Sequence, residues 1–376
     1  MVRSSLVAGI WPRSDATSRA SVGGTGLQNN ATPMETMTFR LPKSVMTVAI
    51  LAGATLVSAT ACSKAGARSP DSASNGRVKV ADSSSGAIAT SSDTGKLAAN
   101  HTGRIPVLEY HVIGGEKNAL YTRTVASFKT DLEDVYKRGY RPITVAQMLD
   151  KNFEDVPAGM SPVVFVFDDA SPEQFSYIEG PDGKLTIDPS SAVGIWLDFA
   201  KTHPGWKTRG TFCLLNGASA GHNFFGDNPK YHGQKKQWRF QKVKWLADNG
   251  FELCDHTVWH AMLNKFSDAV VQEQIARNVM AIDSAVPNYK VRTMALPYGI
   301  WPKNRQLAWE GSWTDPKTKE THNYKFDAVL EVAGGPARSP YDPQFNPHSI
   351  SRVEAIGNDI SNTLDRLDKT KTRFVK

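Results

Sequence analysis

The chain has few cysteines and lacks the patterns that mark nucleic-acid or dinucleotide binding. It carries three cysteines in 376 residues, Cys62, Cys213 and Cys254, and no Cys-x-x-Cys pair, which disfavours a cysteine zinc site. Its net charge is +7, but it has no run of Lys and Arg of the kind that binds nucleic acid, so we expect no nucleic-acid partner. No Gly-x-Gly-x-x-Gly follows a predicted strand, and a dinucleotide site therefore has no support.

The N-terminal part of the chain has the pattern of an export signal. Residues 44–61 are uncharged, apolar and rich in small residues, they follow Arg40 and Lys43, and they end directly before Cys62. This order is typical of a secretory signal peptide, and a cysteine after the small residues 59–61 resembles a bacterial lipoprotein cleavage site. The run is short for a full membrane span. The favoured prediction is therefore an exported lipoprotein, lipidated at Cys62 and anchored to the cell membrane, with a simple transmembrane anchor as the alternative.

Composition divides the chain into four parts. Residues 37–61 form the predicted signal peptide, and the polar residues 1–36 fit poorly before it, so they are predicted to be untranslated or disordered. Residues 62–102 contain almost no large apolar side chain. They cannot offset the entropy lost on folding and are predicted to form a flexible linker. Residues 103–376 form the predicted catalytic domain.

Alternating strand and helix patterns in this domain predict an α/β fold. Apolar runs at 162–167, 210–215 and 251–254 are typical of buried strands, and the stretch 267–282 has the spacing of an amphipathic helix. Such alternation builds a parallel sheet. The candidate functional motifs fall at the carboxyl ends of predicted strands, the face on which barrel enzymes carry their active sites. We therefore predict a (β/α) barrel, distorted or incomplete, rather than an open doubly wound sheet.

Two of these strand ends carry candidate metal ligands. Asp168 and Asp169 end one apolar run, and His256 and His260 follow another, either on one side of a helical turn or around a strand-to-helix corner. One carboxylate and two imidazoles leave open positions on a divalent metal, as a hydrolase needs. The second carboxylate is a candidate base if the strand gives way to a loop there. The alternatives are that Asp168 only caps a turn, and that the ligands belong to a non-haem iron oxygenase.

The ordered set of motifs also resembles a known family. Phe167-Asp168-Asp169, His256-Thr257-Val258-Trp259-His260 and Leu296-Pro297-Tyr298-Gly299 resemble the motifs of polysaccharide deacetylases, the nodulation-type deacetylase homology domain of carbohydrate esterase family four. The resemblance covers residues 104–355. It implies a barrel of the polysaccharide deacetylase type and a metal-dependent hydrolase that removes acetyl groups, N-acetyl first of all, from an envelope or extracellular polysaccharide.

The resemblance implies roles for individual residues. Asp168 would be the general base, and Asp169, His256 and His260 would hold a divalent metal, usually zinc. The Leu-x-His motif that supplies the family's general acid is absent. The nearest candidate is His348, with a surface loop residue as the alternative interpretation.

Further residues are predicted to contact the substrate. Tyr298 and Trp301 are candidates to stack on a sugar ring, Pro297 belongs to the same motif, and a backbone N–H near Tyr298 would help to stabilise an oxyanion. His111 lies where some family members carry a histidine near the site, and a hydrogen-bonded core histidine is the alternative.

One departure from the family pattern bears on the mechanism. The family often holds its base with an arginine two residues before the proline of the third motif, but this position is Ala295, and Arg352 is a candidate to reach the base instead. The departures favour a second hypothesis, a non-catalytic carbohydrate-binding lipoprotein that retains the fold. The ligand set and the aspartate pair disfavour it.

No obligate protein partner is evident. We expect Cys213 and Cys254 to be buried free thiols, with a disulfide as the alternative if the protein is exported.

Overall fold

The computed structural model describes residues 97–218, 221–230 and 232–376. The predicted signal peptide, the residues before it, Cys62 and most of the predicted linker lie outside these residues. The strands of the described residues are, in chain order, β1 Val107–Tyr110, β2 Val112–Ile113, β3 Thr122–Arg123, β4 Tyr140–Ile143, β5 Ser161–Phe167, β6 Tyr177–Glu179, β7 Leu185–Ile187, β8 Thr211–Leu214, β9 Glu252–Asp255, β10 Thr293–Ala295, β11 Glu310–Thr314, β12 Thr321–Lys325, β13 Ala328–Gly334 and β14 Ile350–Glu354. The α-helices are α1 Val125–Lys137, α2 Val145–Leu149, α3 Ala192–Thr202, α4 Arg239–Asp248, α5 Asp268–Ala285 and α6 Asp359–Thr370.

Local sequence signals explain where several of these helices begin. Thr124, Ser191 and Ser267 are the N-caps of α1, α3 and α5, and each side chain accepts a hydrogen bond from a backbone N–H of the first turn, which satisfies a donor that the helix leaves free. Thr144 and Gln147 form a capping box at the start of α2. No helix within the described residues is both long and apolar enough to cross a membrane.

Seven parallel strands close into a barrel. Their order is β1-β14-β13-β10-β9-β8-β5, and β5 pairs back with β1. The first half of β5 also pairs with β4, and its last residues, Val166 and Phe167, pair with β8. This architecture confirms the predicted (β/α) barrel, with seven strands in the closed ring. Because all these strands run in the same direction, their carboxyl ends open on one face.

Alternate residues of the barrel strands belong to two separate apolar clusters. Phe165, Phe167 and Phe212 belong to the larger cluster, which includes the buried faces of the surrounding helices. Val164 and Val166 belong to the second, with apolar residues of the other barrel strands. Side chains of a strand alternate between its two faces, so the second cluster fills the barrel interior.

The two cysteines of the domain lie in this interior cluster. Cys213 and Cys254 are direct partners across β8 and β9, and their sulfurs form a disulfide bond. The prediction of free thiols is therefore wrong, and the alternative is correct. Sequence patterns showed both cysteines in buried strands, but not that the strands are neighbours in register.

Candidate metal centre

The inward-facing series of several barrel strands ends in polar side chains. Each of these side chains lies two residues after an interior apolar residue of its own strand, and strand periodicity therefore points it into the barrel. They are Glu109 after Val107, Asp168 after Val166, His256 after Cys254 and Arg352 after Ile350. All four are at most 1% exposed. Charged side chains thus converge at the carboxyl end of the barrel.

Three side chains at this end are arranged as metal ligands. One ligand atom from each of Asp169, His256 and His260 lies within 4.8 Å of the others. Asp169 Oδ1 is 3.4 Å from His256 Nε2 and 3.5 Å from His260 Nε2. Asp169 Oδ1 and His256 Nε2 are buried and have no hydrogen-bond partner among the described residues. Two unsatisfied buried atoms aimed at one point, in a set of one carboxylate and two imidazoles, fit a divalent metal such as zinc.

The backbone explains how both aspartates reach the site. β5 ends at Phe167, and Asp169 and Ala170 have φ values of 76° and 48°. This left-handed turn breaks the alternation of the strand, so the side chain of Asp169 points towards His256 and His260 and not to the opposite face of the strand. The sequence predicted that the pair could share a site only at such a point, and the structure places it there.

The two histidines lie in the loop between β9 and α5. Of the two predicted arrangements, the strand-to-helix corner is therefore the correct one. His256 donates a hydrogen bond from Nδ1 to the carbonyl of Ala295 over 2.8 Å. Because a carbonyl only accepts, this bond leaves Nε2 free to face Asp169, as a ligand to a metal requires.

Electrostatics separate the protonation states of these ligands. Burial opposes a charge on His256, but Asp168 and Asp169 outweigh it and raise the pKa of His256 to about 9. Burial also acts against the Asp169 carboxylate, yet His256, 3.4 Å away, and the imidazoles of His111 and His260 bring its pKa below the usual range. Burial and the charge of His256 lower the pKa of His260 to about 4. At neutral pH the set is therefore a carboxylate, one imidazolium and one neutral imidazole, and metal binding must displace one proton.

Arg352 holds the candidate base. Its Nη1 lies 2.9 Å from Asp168 Oδ2, and its Nε lies 3.1 Å from Glu109 Oε2. The guanidinium therefore bridges two buried carboxylates. The place of the arginine expected near residue 295 is taken by an arginine from β14, as the sequence allowed.

Glu109 extends this network to His111. Its Oε1 is 3.4 Å from His111 Nε2, and burial raises the pKa of Glu109 to about 8 although Arg352 acts in the opposite direction. One ligand-type atom from each of Glu109, His111 and Asp168 lies within 4.8 Å of the others. Glu109 was not among the residues predicted for the site. Its signal was a carboxylate at an inward position of a strand that is otherwise apolar.

Aromatic side chains line the mouth of the site. The ring of Tyr298 lies 4.2 Å from that of His260, and Tyr298 is 57% exposed, whereas Pro297 is buried. The ring of Tyr121 lies 4.7 Å from that of His111. Trp301 donates from Nε1 to the carboxylate of Glu331 over 3.1 Å, which fixes the indole at this rim.

His348 is not part of the group around the aspartates. Its ring stacks on Trp309 with 4.6 Å between ring centroids. Within the described residues, no hydrogen bond or ion pair joins it to Asp168 or Asp169. Trp309 in turn contacts Trp301 edge-on at 6.4 Å, so His348 lies with the aromatic side chains of the rim. The structure thus brings together Asp168, Asp169, His111, His256 and His260 and leaves His348 outside this group.

Fold and site together define an α/β barrel with a candidate metal centre at the carboxyl ends of its strands. The family model described as polysaccharide deacetylase matches residues 206–310, a segment that contains both histidines and the Pro297 motif but not the aspartate pair. No curated protein sequence matches the chain.

Among the solved structures that match the chain are three proteins from bacteria. The Streptococcus pyogenes deacetylase PplD in complex with acetate is 18% identical, with 70% of this chain and 98% of that chain covered and a TM-score of 0.47. The polysaccharide deacetylase BC0361 from Bacillus cereus is 16% identical, with 72% and 69% covered and a TM-score of 0.45. IcaB from Ammonifex degensii is 16% identical, with 69% and 94% covered and a TM-score of 0.44. At these identities and scores, no activity is transferred to this chain from these structures.

Proposed function

We propose that this protein is a metal-dependent hydrolase that removes acetyl groups, N-acetyl groups first of all, from an acetylated polysaccharide. The observation that carries the proposal is the convergence of Asp169, His256 and His260 beside a second carboxylate held by a buried arginine. The match of residues 206–310 to the polysaccharide deacetylase model supports it.

The chain supplies a base next to the candidate ligands. A divalent metal, with zinc favoured by two imidazoles and a carboxylate, would polarise the acetyl carbonyl and activate water. Asp168 lies where it could accept the proton of that water, and Arg352 at 2.9 Å fixes its orientation. The water oxygen adds to the carbonyl carbon, the carbon–nitrogen bond breaks, and acetate and a free amine result.

We assign proton delivery to the leaving nitrogen to His111 in preference to His348. A general acid must lie within hydrogen-bond reach of the reacting group. His111 lies beside Asp168 and is partly exposed, whereas His348 is stacked on Trp309. Burial lowers the pKa of His111, so its imidazole must take up a proton during the reaction before it can donate one to the leaving nitrogen. His111→Ala should therefore lower kcat about 10²- to 10⁴-fold, and His348→Ala should leave kcat near the wild-type value. The reverse result would return the role to His348.

Acetate release by the zinc-loaded full-length chain tests the function as a whole. The substrates are acetylated chito-oligomers, peptidoglycan and acetylxylan, with metal content measured alongside. Asp168→Asn should abolish turnover with metal still bound, and His256→Ala should lose the metal as well. A metal-loaded protein that binds these glycans but releases no acetate would favour the non-catalytic carbohydrate-binding alternative. The missing arginine favoured that alternative, and the position of Arg352 weakens this reason.

We also propose that the protein is exported and anchored through a lipid on Cys62. The sequence around residues 44–62 supports this, and a buried disulfide between Cys213 and Cys254 suits an oxidising compartment. Mass spectrometry of the mature N-terminus should find a lipidated Cys62, and Cys62→Ala should move the protein from the membrane fraction to the soluble one. An unmodified Cys62 in the mature chain would contradict the anchor.

A further inference from the structure

The loop that carries both histidines contains two residues in an unfavourable backbone conformation. Thr257 and His260 have φ values of 65° and 61°, in the left-handed region that residues other than glycine rarely adopt. Thr257 is β-branched, which makes this conformation still less favourable. Such conformations persist only where the surroundings impose them, so something outside the loop must hold it.

Two amide side chains of α5 are in contact with this region. Gln274 and Asn278 lie one helical turn apart and are fully buried. Gln274 Oε1 accepts a hydrogen bond from the backbone N–H of Trp259 over 3.3 Å. Asn278 donates from Nδ2 to the carbonyl of Leu214 over 2.7 Å and to Asp255 Oδ2 over 3.0 Å.

Asp255 connects Asn278 to Thr257, the first of the two left-handed residues. Its Oδ1 accepts a hydrogen bond from the backbone N–H of Thr257 over 2.9 Å, so Asn278 reaches Thr257 through one carboxylate. Gln274 binds the residue directly before His260. The two amides therefore fix the loop next to both of its left-handed residues.

Packing alone does not account for amides at these positions. Val271, Ile275 and Ile282 form the apolar buried face of the same helix, and a buried amide is costly unless it is hydrogen-bonded. Gln274 Nε2 and Asn278 Oδ1 are buried without a hydrogen-bond partner among the described residues. Apolar side chains of similar size would avoid this cost, so the amides are better explained by the bonds they make to the ligand loop.

We propose that Gln274 and Asn278 are positioning residues that set the metal affinity of the site by holding His256 and His260 in a ligating arrangement. The proposal rests on the metal-binding part of the proposed function and not on the identity of the substrate. Neither residue is hydrogen-bonded to a candidate ligand atom. Gln274 acts through the backbone N–H of Trp259, and Asn278 acts through the carboxylate of Asp255, which binds the backbone N–H of Thr257.

The experiment measures zinc affinity of the full-length chain by competition with a chelating dye. Asn278→Leu removes both donated hydrogen bonds at similar volume and should weaken zinc binding about 10- to 100-fold, the usual effect of losing such an outer-shell partner. Gln274→Met should weaken it in the same direction, and Gln274→Glu, which keeps the acceptor for the Trp259 N–H, should restore most of the affinity. The visible spectrum of the Co²⁺-loaded Asn278→Leu protein should also change, because the ligand geometry is altered.

Glu252→Leu is the matched control. Glu252 is a buried polar side chain at the other end of β9, where it accepts hydrogen bonds from Thr211 and Thr293. The Glu252→Leu variant should have a lower melting temperature than wild type and a zinc affinity within about threefold of wild type. The proposal is overturned if Asn278→Leu and Gln274→Met bind zinc like wild type, or if Glu252→Leu weakens binding as much as they do. If Asn278→Leu does not fold, the Gln274 pair decides.

The two proposals fail in different ways. A wild-type chain that binds zinc with the expected dependence on Gln274 and Asn278 but releases no acetate from any glycan contradicts only the deacetylase function. A wild-type chain that binds no divalent metal contradicts both.

Discussion

Replacement of Arg352 by methionine would leave two buried carboxylates without the guanidinium that now lies between them. The ion pairs to Asp168 and Glu109 span 2.9 and 3.1 Å. At an effective dielectric constant of about 20, each corresponds to about 5–6 kcal/mol of Coulomb attraction. Part of this only offsets the cost of burying the arginine, and removal of one partner from a buried ion pair typically costs about 3–5 kcal/mol. We expect Arg352→Met to lose about that much unfolding free energy near pH 8.

The loss should depend on pH in a defined direction. The pKa of Glu109 is raised from 4.5 to about 8, chiefly by burial. Between these values the folded state binds a proton that the unfolded state has lost, so this group's contribution to stability is greatest below pH 4.5 and falls as pH rises to 8. Loss of Arg352 raises the pKa of Glu109 further and extends the fall above pH 8. The stability difference between variant and wild type should therefore widen with pH and be smallest near pH 4.

Urea unfolding between pH 4 and 9 measures this difference. Arg352→Lys keeps the charge but not the planar pair of donors, and it should lie between wild type and Arg352→Met. The double variant with Glu109→Gln removes one of the stranded carboxylates and should recover part of the stability. Acetate release should fall about 10²- to 10⁴-fold in Arg352→Met, because Asp168 is no longer held as a base, with zinc content unchanged. Wild-type stability at pH 8 together with wild-type turnover would refute the role of this arginine.

Three further outcomes follow from other parts of the structure. Lys242 is buried and donates a hydrogen bond from Nζ to the carbonyl of Phe225, and burial lowers its pKa from 10.5 to about 7. The cost of burying this lysine is therefore greatest below pH 7 and disappears as pH rises towards 10.5. After the lost hydrogen bond is allowed for, Lys242→Met should gain about 2–3 kcal/mol of unfolding free energy at pH 6, measured by urea unfolding, and a variant less stable than wild type at pH 6 would contradict this. Zinc affinity should rise about tenfold per pH unit between pH 5 and 8, because His256 must lose a proton before it can bind the metal. Calorimetry in buffers of different ionisation enthalpy should show that one proton is released for each zinc ion bound. An affinity that does not change with pH would count against the assigned protonation states. Trp301→Ala should raise KM for chito-oligomers about 2- to 10-fold at unchanged kcat, and an unchanged KM would exclude the indole from substrate contact.

Local signals were enough to predict most of the fold. The apolar runs predicted as strands at 162–167, 210–215 and 251–254 coincide with β5, β8 and β9 to within one residue, and the amphipathic stretch at 267–282 lies in α5 and its N-cap. Caps and apolar periodicity depend on residues close in sequence, which is why they can be read from one chain. The hairpins β6–β7 and β11–β12 were missed, because turn residues and charges interrupt any alternation in those segments.

The candidate site could be predicted as far as it lies within single motifs. Asp168 and His256 stand directly after recognisable strands, and Asp169 and His260 follow in the same loops. Their meeting at one barrel face therefore followed from parallel strands alone. Three features could not be predicted in this way: the disulfide, the place of Glu109 in the site and the contact of Arg352 with Asp168. Each of them depends on which strands are neighbours and in what register. Chain order does not contain this information, because β1 and β14 are adjacent only after the barrel closes.

Barrel closure also bears on how the departure at residue 295 should be judged. Ala295 is a fully buried member of the interior cluster, and an arginine there would have to share this interior with Arg352, whose side chain is itself fully buried. A close-packed interior does not hold two such side chains without strain. The small residue on β10 and the arginine on β14 are thus compatible with each other, and they keep one guanidinium on the base. The missing arginine at position 295 is therefore weak evidence for an inactive protein, because strands from several sides of a closed barrel can direct a cation to Asp168.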